Sequence, residues 1–133
     1  MLVLVVAYNN QVNSDEFIFE SEYIEIKNDG NTIQAKNGVK IIANNQIEIT
    51  ADESLYDKLN SKLLLKGNVV FVDKEREIKI LSDETIYNKS SEKIISKGKV
   101  TAYLPNNYTV YAKNLEYFKI YKTIQSKFKT TLI

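Results

Sequence analysis

A chain of 133 residues fits one domain and buries enough surface to fold without covalent staples. It contains no Cys and no His, which removes disulfides, thiolate metal sites, a Cys nucleophile, the Ser-His-Asp arrangement and the commonest zinc ligand. Eighteen basic residues against seventeen acidic leave a net charge of +1, so neither a nucleic-acid footprint nor an acidic solvating tail is indicated. Hydrophobic residues make up 44% of the chain, which argues against disorder. Sixteen Ile, nine Tyr and five Phe favour a pleated, half-buried surface, hence strands. The lone Arg76 among seventeen Lys, with fourteen Asn, reads as a nucleotide-composition bias of the source genome. No metal or cofactor is implied, and a binding or structural role leads.

Residues 1–14 open with the apolar run Leu2-Val3-Leu4-Val5-Val6-Ala7, followed by a polar stretch from Asn9 to Ser14. The run is too short to span a bilayer, which needs ~20 residues, and lacks the basic n-region of a signal peptide. It reads as the remainder of a truncated signal peptide, or as a first strand or stub. The folded domain is expected over 15–133.

From there the pattern has period two. Phe17-Ile18-Phe19, Ile24-Glu25-Ile26, Val39-Lys40-Ile41, Ile47-Glu48-Ile49 and Ile78-Lys79-Ile80 read as strand fragments. Turn residues separate them, among them Asn28-Asp29-Gly30-Asn31, Asn44-Asn45, Asp57 to Ser61, Asn88 to Ser91 and Pro105-Asn106-Asn107. No stretch sustains a 3.6-residue period, so the chain is predicted to be all-β.

A longer period overlies the first. Ile47 to Lys58, continuing to Lys66-Gly67-Asn68-Val69, matches Ile78 to Lys89, continuing to Lys97-Gly98-Lys99-Val100, at an offset of 31. A weaker copy follows through Tyr108-Thr109-Val110-Tyr111 and Tyr117-Phe118, and a partial one precedes, ending in Lys36-Asn37-Gly38-Val39. Such a unit cannot bury its apolar face alone, so stacked units are expected to form a twisted, two-layered sheet. Gly67 and Gly98 fall inside strand patterns and mark either a sharp bulge or a hairpin turn.

The spacing Ile47-x-Ile49-x-Ala51-Asp52-x-x-x-Tyr56-Asp57 with Lys66-Gly67-Asn68-Val69, repeated as Ser82-Asp83-x-x-x-Tyr87 with Lys97-Gly98-x-Val100, resembles the OstA-like (organic-solvent-tolerance) domain of lipopolysaccharide transport. That family includes the bridge protein LptA, the periplasmic part of LptC and the N-terminal domain of the translocon LptD. The resemblance covers 17–133. It departs in the third copy, where Ala112-Lys113 replaces the Asp-bearing pair and Phe128 stands near the expected Gly. It implies an open, twisted antiparallel β-jelly-roll in the Gram-negative periplasm, with outer-membrane association for a translocon piece. It also implies a lipopolysaccharide (lipid A) ligand in an apolar groove and edge-to-edge joining with other Lpt-type domains or with itself.

Period-two parity places Val39, Ile41, Ile47, Ile49, Leu63, Leu65, Val69, Phe71, Ile78, Ile80, Val100 and Val110 on one face, with Leu55, Ile86, Tyr108 and Ala112 continuing it. Glu48, Thr50, Asp52, Lys79, Asp83, Lys99 and Lys113 fall on the other. The first face is either an ordinary packed core or, on the resemblance, the lipid-binding groove. Asp52 and Asp83 recur at equivalent repeat positions and read as structural rather than catalytic. Tyr56 and Tyr87 are expected to cover the sheet edge with their hydroxyls in water. The spread of Lys reads chiefly as a guard against edge aggregation. The free edges are expected at Phe17, Ile18 and Phe19 and at the last strand, with Phe128 and Leu132. The competing reading is a β-solenoid-like scaffold or adhesin fragment with a packed interior and no lipid. A hydrolase is disfavoured by the missing His and Cys.

Overall fold

The computed structural model describes residues 4–14, 16–126 and 131–132. Its strands are β1 (Leu4–Asn13), β2 (Ile18–Lys27), β3 (Thr32–Ala43), β4 (Ile47–Ala51), β5 (Glu53–Asp57) and β6 (Lys62–Asp73). They continue with β7 (Ile78–Asn88), β8 (Lys93–Leu104), β9 (Tyr108–Phe118), β10 (Thr123–Gln125) and β11 (Thr131–Leu132). Among the described residues these strands form one 11-stranded antiparallel sheet whose path runs β1-β2-β3-β4-β6-β7-β8-β9-β10 without closing, with β5 set between β3 and β6 and β11 against β9. Short connections suit this meander. Asn44-Asn45 and Asn106-Asn107 take the left-handed backbone that tight hairpins require and Asn tolerates.

A line of bulges crosses the sheet. Register breaks fall between Ser21 and Tyr23 against β3, between Lys66 and Val69 against β7, and between Lys97 and Val100 against β9. On β3, β6 and β8 the line is occupied by consecutive left-handed residues, Asn37-Gly38, Gly67-Asn68 and Gly98-Lys99. β3 changes partner there, pairing with β5 before the break and β4 after it. Of the two readings of Gly67 and Gly98, the bulge is the one found. It folds the sheet on itself into an open, twisted antiparallel β-jelly-roll whose two halves face each other.

The bulge also resets parity. On β6 and β8 the inward residues keep odd or even numbering through the break, but on the partner strands they switch: Ile47, Ile49 and Ala51 give way to Ser54 and Tyr56, and Ile78, Ile80 and Ser82 to Thr85 and Tyr87. Two residues on one strand oppose one on its neighbour, so only one of the pair can hold phase. Leu55 therefore points outward at 40% exposure and Ile86 is half-buried, against the expectation that both face inward. Tyr108 is likewise exposed, and Ala112 is half-buried.

The N-terminal stretch supplies a strand. β1 pairs with β2 through Val12↔Phe19 and Asn13↔Ile18. The turn between them is held by Ser14, whose hydroxyl accepts from the Phe17 N–H at 2.9 Å and donates to the Phe17 carbonyl at 3.0 Å.

Candidate functional site

The inward face is an apolar seam between the two halves. Of the residues assigned to it, Val39, Ile41, Ile47, Ile49, Leu63, Leu65, Val69, Phe71, Ile78, Ile80, Val100 and Val110 lie in one core cluster at no more than 7% exposure, whereas Leu55, Ile86, Tyr108 and Ala112 do not. Val39, Ile41, Ile47, Ile49, Val69, Phe71, Ile78, Ile80, Val100 and Val110 come from the half after the bulge line, and Leu63 and Leu65 from the other. The seam also contains Ile94, on the Gly-containing strand of the second repeat, and Ile24, Ile33 and Leu115, which no repeated motif singled out.

Its aromatic residues interlock across the seam. Phe17 meets Tyr56 edge-on at 5.0 Å and Tyr87 at 5.7 Å, while Phe71 meets Tyr87 and Tyr117 at 6.1 Å each. Edge-to-face pairs of this separation are favourable beyond their buried area. Tyr56, Tyr87 and Tyr117 recur at offsets of 31 and 30, and each is fully buried. The expectation that Tyr56 and Tyr87 keep their hydroxyls in water is thus corrected. The parity switch turns them inward, where each hydroxyl finds a carboxylate: Tyr56 donates to Glu16, Tyr87 to Glu92 at 2.8 Å and Tyr117 to Asp73 at 2.9 Å. Burial, then the carboxylate partners, pushes the Tyr87 and Tyr117 phenols above their ordinary range.

Asp52 and Asp83 sit at the bulges. The Asp52 N–H donates to the Gly67 carbonyl at 2.8 Å, and its carboxylate accepts from the Asn68 side chain at 3.0 Å. A Cβ built at Gly67 would lie 2.3 Å from Asp52 Oδ2, and one at Gly98 would lie 2.5 Å from Asp83 Oδ2. Both carboxylates therefore fill the space that the missing side chain leaves, a structural use in keeping with their recurrence.

The seam reaches the surface at the two ends of the sheet. Half-buried apolar residues packed against the core are Val12 and Ile26 at one end, and Leu104, Ala112 and Ile124 at the other. By contrast, a surface hollow of about 620 Å³ on β1, β2 and β3 is lined by Gln11, Glu20, Ser21, Glu22, Asn37, Gly38, Val39 and Lys40, a mostly polar and charged lining poorly suited to acyl chains.

The first free edge is not where the sequence pointed. Ile18 and Phe19 are paired on both sides, to β1 and to β3, and Phe17 and Phe19 are core residues. The apolar bulk of Phe17 and Phe19 faces the seam, and among the described residues β1 is the outer strand. At the other end β9 is covered in part by β10, through Glu116, Tyr117 and Phe118, and in part by β11, where Leu132 pairs with Val110. Phe128 lies outside the described residues.

No protein-family model matches the chain, and no curated protein matches it. Among solved structures, the crystal structure of LptH from Pseudomonas aeruginosa is similar, with a TM-score of 0.77 at 7% identity, covering 88% of this chain and 93% of that one. LptH is described as the LptA-homologous periplasmic component of the conserved lipopolysaccharide transport device. At that identity the likeness concerns the fold, and the fold shared is the LptA-like β-jelly-roll.

Proposed function

We propose that the chain is a non-catalytic, periplasmic lipopolysaccharide-handling module. Acyl chains lie in the seam between the two halves of the sheet, and the outer strands join further domains of the same fold, or copies of this chain, edge to edge. The observation that carries the reading is the apolar seam running from Val12 and Ile26 to Leu104, Ala112 and Ile124 on a fold shared with LptH. A seam that meets the surface at both ends continues into a neighbour when sheets abut. Transfer of lipid along it needs no bond-making, since each buried methylene contributes about 0.8 kcal/mol.

The inward side chains are close-packed, so lipid entry requires the halves to part. That same packing favours the second reading, a scaffold with a filled core and no lipid ligand. Site-specific photo-crosslinkers decide between them. Probes at Ile47 and Ile78 should capture lipopolysaccharide, and one at Lys79, which points outward, should not. Equal capture at the three positions, or none at any, favours the scaffold.

A further inference from the structure

Four turns line one end of the first half of the sheet: 27–32, 57–62, 88–93 and 118–123. They are stitched side by side. The Lys58 N–H donates to the Asn31 carbonyl, Lys89 to Ser61 and Lys119 to Glu92, at 2.8, 2.8 and 3.0 Å. The last three share a backbone form, each closing on a left-handed residue, Ser61, Glu92 or Lys122. Their two-residue tips are therefore equivalent: Leu59-Asn60, Ser90-Ser91 and Ile120-Tyr121.

Turn chemistry selects small polar residues at such tips, as in Ser90-Ser91. Leu59, Ile120 and Tyr121 break that rule, with exposures of 78%, 61% and 77%, higher than those of the other exposed large hydrophobic side chains. Nothing in the turns requires them, since they project from the sheet. The two apolar tips stand about 19 Å apart, four strand spacings.

The charge at this end is as uneven. The four turns hold seven lysines and three acidic residues, whereas the turns at the opposite end, 13–18, 43–47, 73–78 and 104–108, hold two basic and five acidic. Each apolar tip is bracketed by lysine, Lys58 and Lys62 around Leu59, Lys119 and Lys122 around Ile120-Tyr121. Glu92 neutralises part of this charge by pairing with Lys89 and Lys119, as do Glu25 with Lys27 and Glu116 with Lys93, while Lys62 and Lys122 are exposed.

We propose that this end of the sheet docks on an anionic bilayer surface, with Leu59, Ile120 and Tyr121 entering the headgroup layer and the surrounding lysines meeting lipid phosphates. Separate apolar tips, each flanked by long cationic side chains, suit a fluid interface that closes around each tip. Tyrosine suits the boundary between wet and apolar layers. The inference is independent of what occupies the seam.

The chain has no native Cys, so single substitutions Leu59→Cys, Ile120→Cys and Asn106→Cys each carry one environment-sensitive dye. With phosphatidylcholine vesicles containing phosphatidylglycerol and no lipopolysaccharide, the dye should shift to the blue at 59 and 120 but not at 106, at the opposite end. The shift should vanish in high salt and be absent with phosphatidylcholine alone or with inorganic phosphate alone. The triple variant Leu59→Ser, Ile120→Ser, Tyr121→Ser should bind these vesicles about tenfold more weakly, with an unchanged circular dichroism spectrum. No shift on anionic vesicles, an equal shift at 106, an equal shift on neutral vesicles, a shift with phosphate alone, or undiminished binding by the triple variant would each overturn the proposal.

Discussion

The hydroxyl of Tyr117 in β9 donates a 2.9 Å hydrogen bond to the Asp73 carboxylate at the end of β6, across the seam between the two halves of the sheet. Asp73 has no exposed surface, and its other partners are the Arg76 backbone N–H and guanidinium, each at 3.3 Å. A buried carboxylate is tolerable only when its lone pairs are met, so this contact ties the halves together while satisfying a costly group. Tyr117→Phe is expected to destabilise the fold by roughly 1–3 kcal/mol in urea unfolding. In an Asp73→Ala background the same change should cost much less. Additive losses in the double-mutant cycle would refute the link.

The glycines on the bulge line should differ although their backbones agree. Gly38 and Gly67 have φ of +92° and +81°, but a Cβ at Gly38 meets nothing within 4 Å, while one at Gly67 collides with Asp52. Gly38→Ala should cost about 1 kcal/mol, the strain of a left-handed alanine, and Gly67→Ala about 2–3 kcal/mol. Asp52→Ala should remove most of the difference. Equal midpoints for the two single variants in urea would show that the carboxylate yields freely.

Acid sensitivity should centre on Glu92. Burial works to raise its pKa, but hydrogen bonds from Lys89 and Tyr87 outweigh it and leave the carboxyl below its usual value. A folded-state pKa depressed in this way contributes stability that is complete above the ordinary carboxylate range, near about 4.3, and is lost as pH falls through the folded value. Glu92→Gln should therefore lower stability by about 1 kcal/mol at neutral pH, and the gap to wild type should close as the pH falls below the ordinary carboxylate range. A gap that stays constant in thermal unfolding across that range would mean the carboxylate charge is not the cause.

Edge joining should depend on β1. Successive residues of a strand direct their N–H groups alternately to either side, so of Val5→Pro and Val6→Pro one removes a bond to β2 and the other a donor on the open side. One variant should loosen the β1–β2 hairpin. The other should keep the fold and weaken concentration-dependent association by sedimentation. Wild type that stays monomeric at every concentration and binds no domain of the same fold would exclude the mechanism. Ile18→Pro is expected to disrupt the sheet instead, since Ile18 is paired on both sides.

Much of this protein is legible in the order of its residues. Period two marks the strands, Asn-rich clusters mark the turns, and the offset of 31 marks the stacking of units. The inward residues from Val39 to Val110 follow from parity within a strand, because neighbours two apart share a face whatever the tertiary context. Parity fails at the bulge. Asp52 and Gly67, or Asp83 and Gly98, lie opposite each other, and local alternation does not say which strand of each pair loses phase there. Cross-strand register decides that, turning Tyr56 and Tyr87 inward and Leu55 and Ile86 away from the core. The outer strand is a global property as well. Phe17-Ile18-Phe19 looks like an edge until β1 is laid against it, and whether an apolar run such as Leu4 to Ala7 pairs depends on a partner far from it in the pattern. Local chemistry determined the strands, the turns and which side chains of one strand share a face, and only the folding of two half-sheets over one core decided which face each strand keeps across a bulge and which described strand lies outermost.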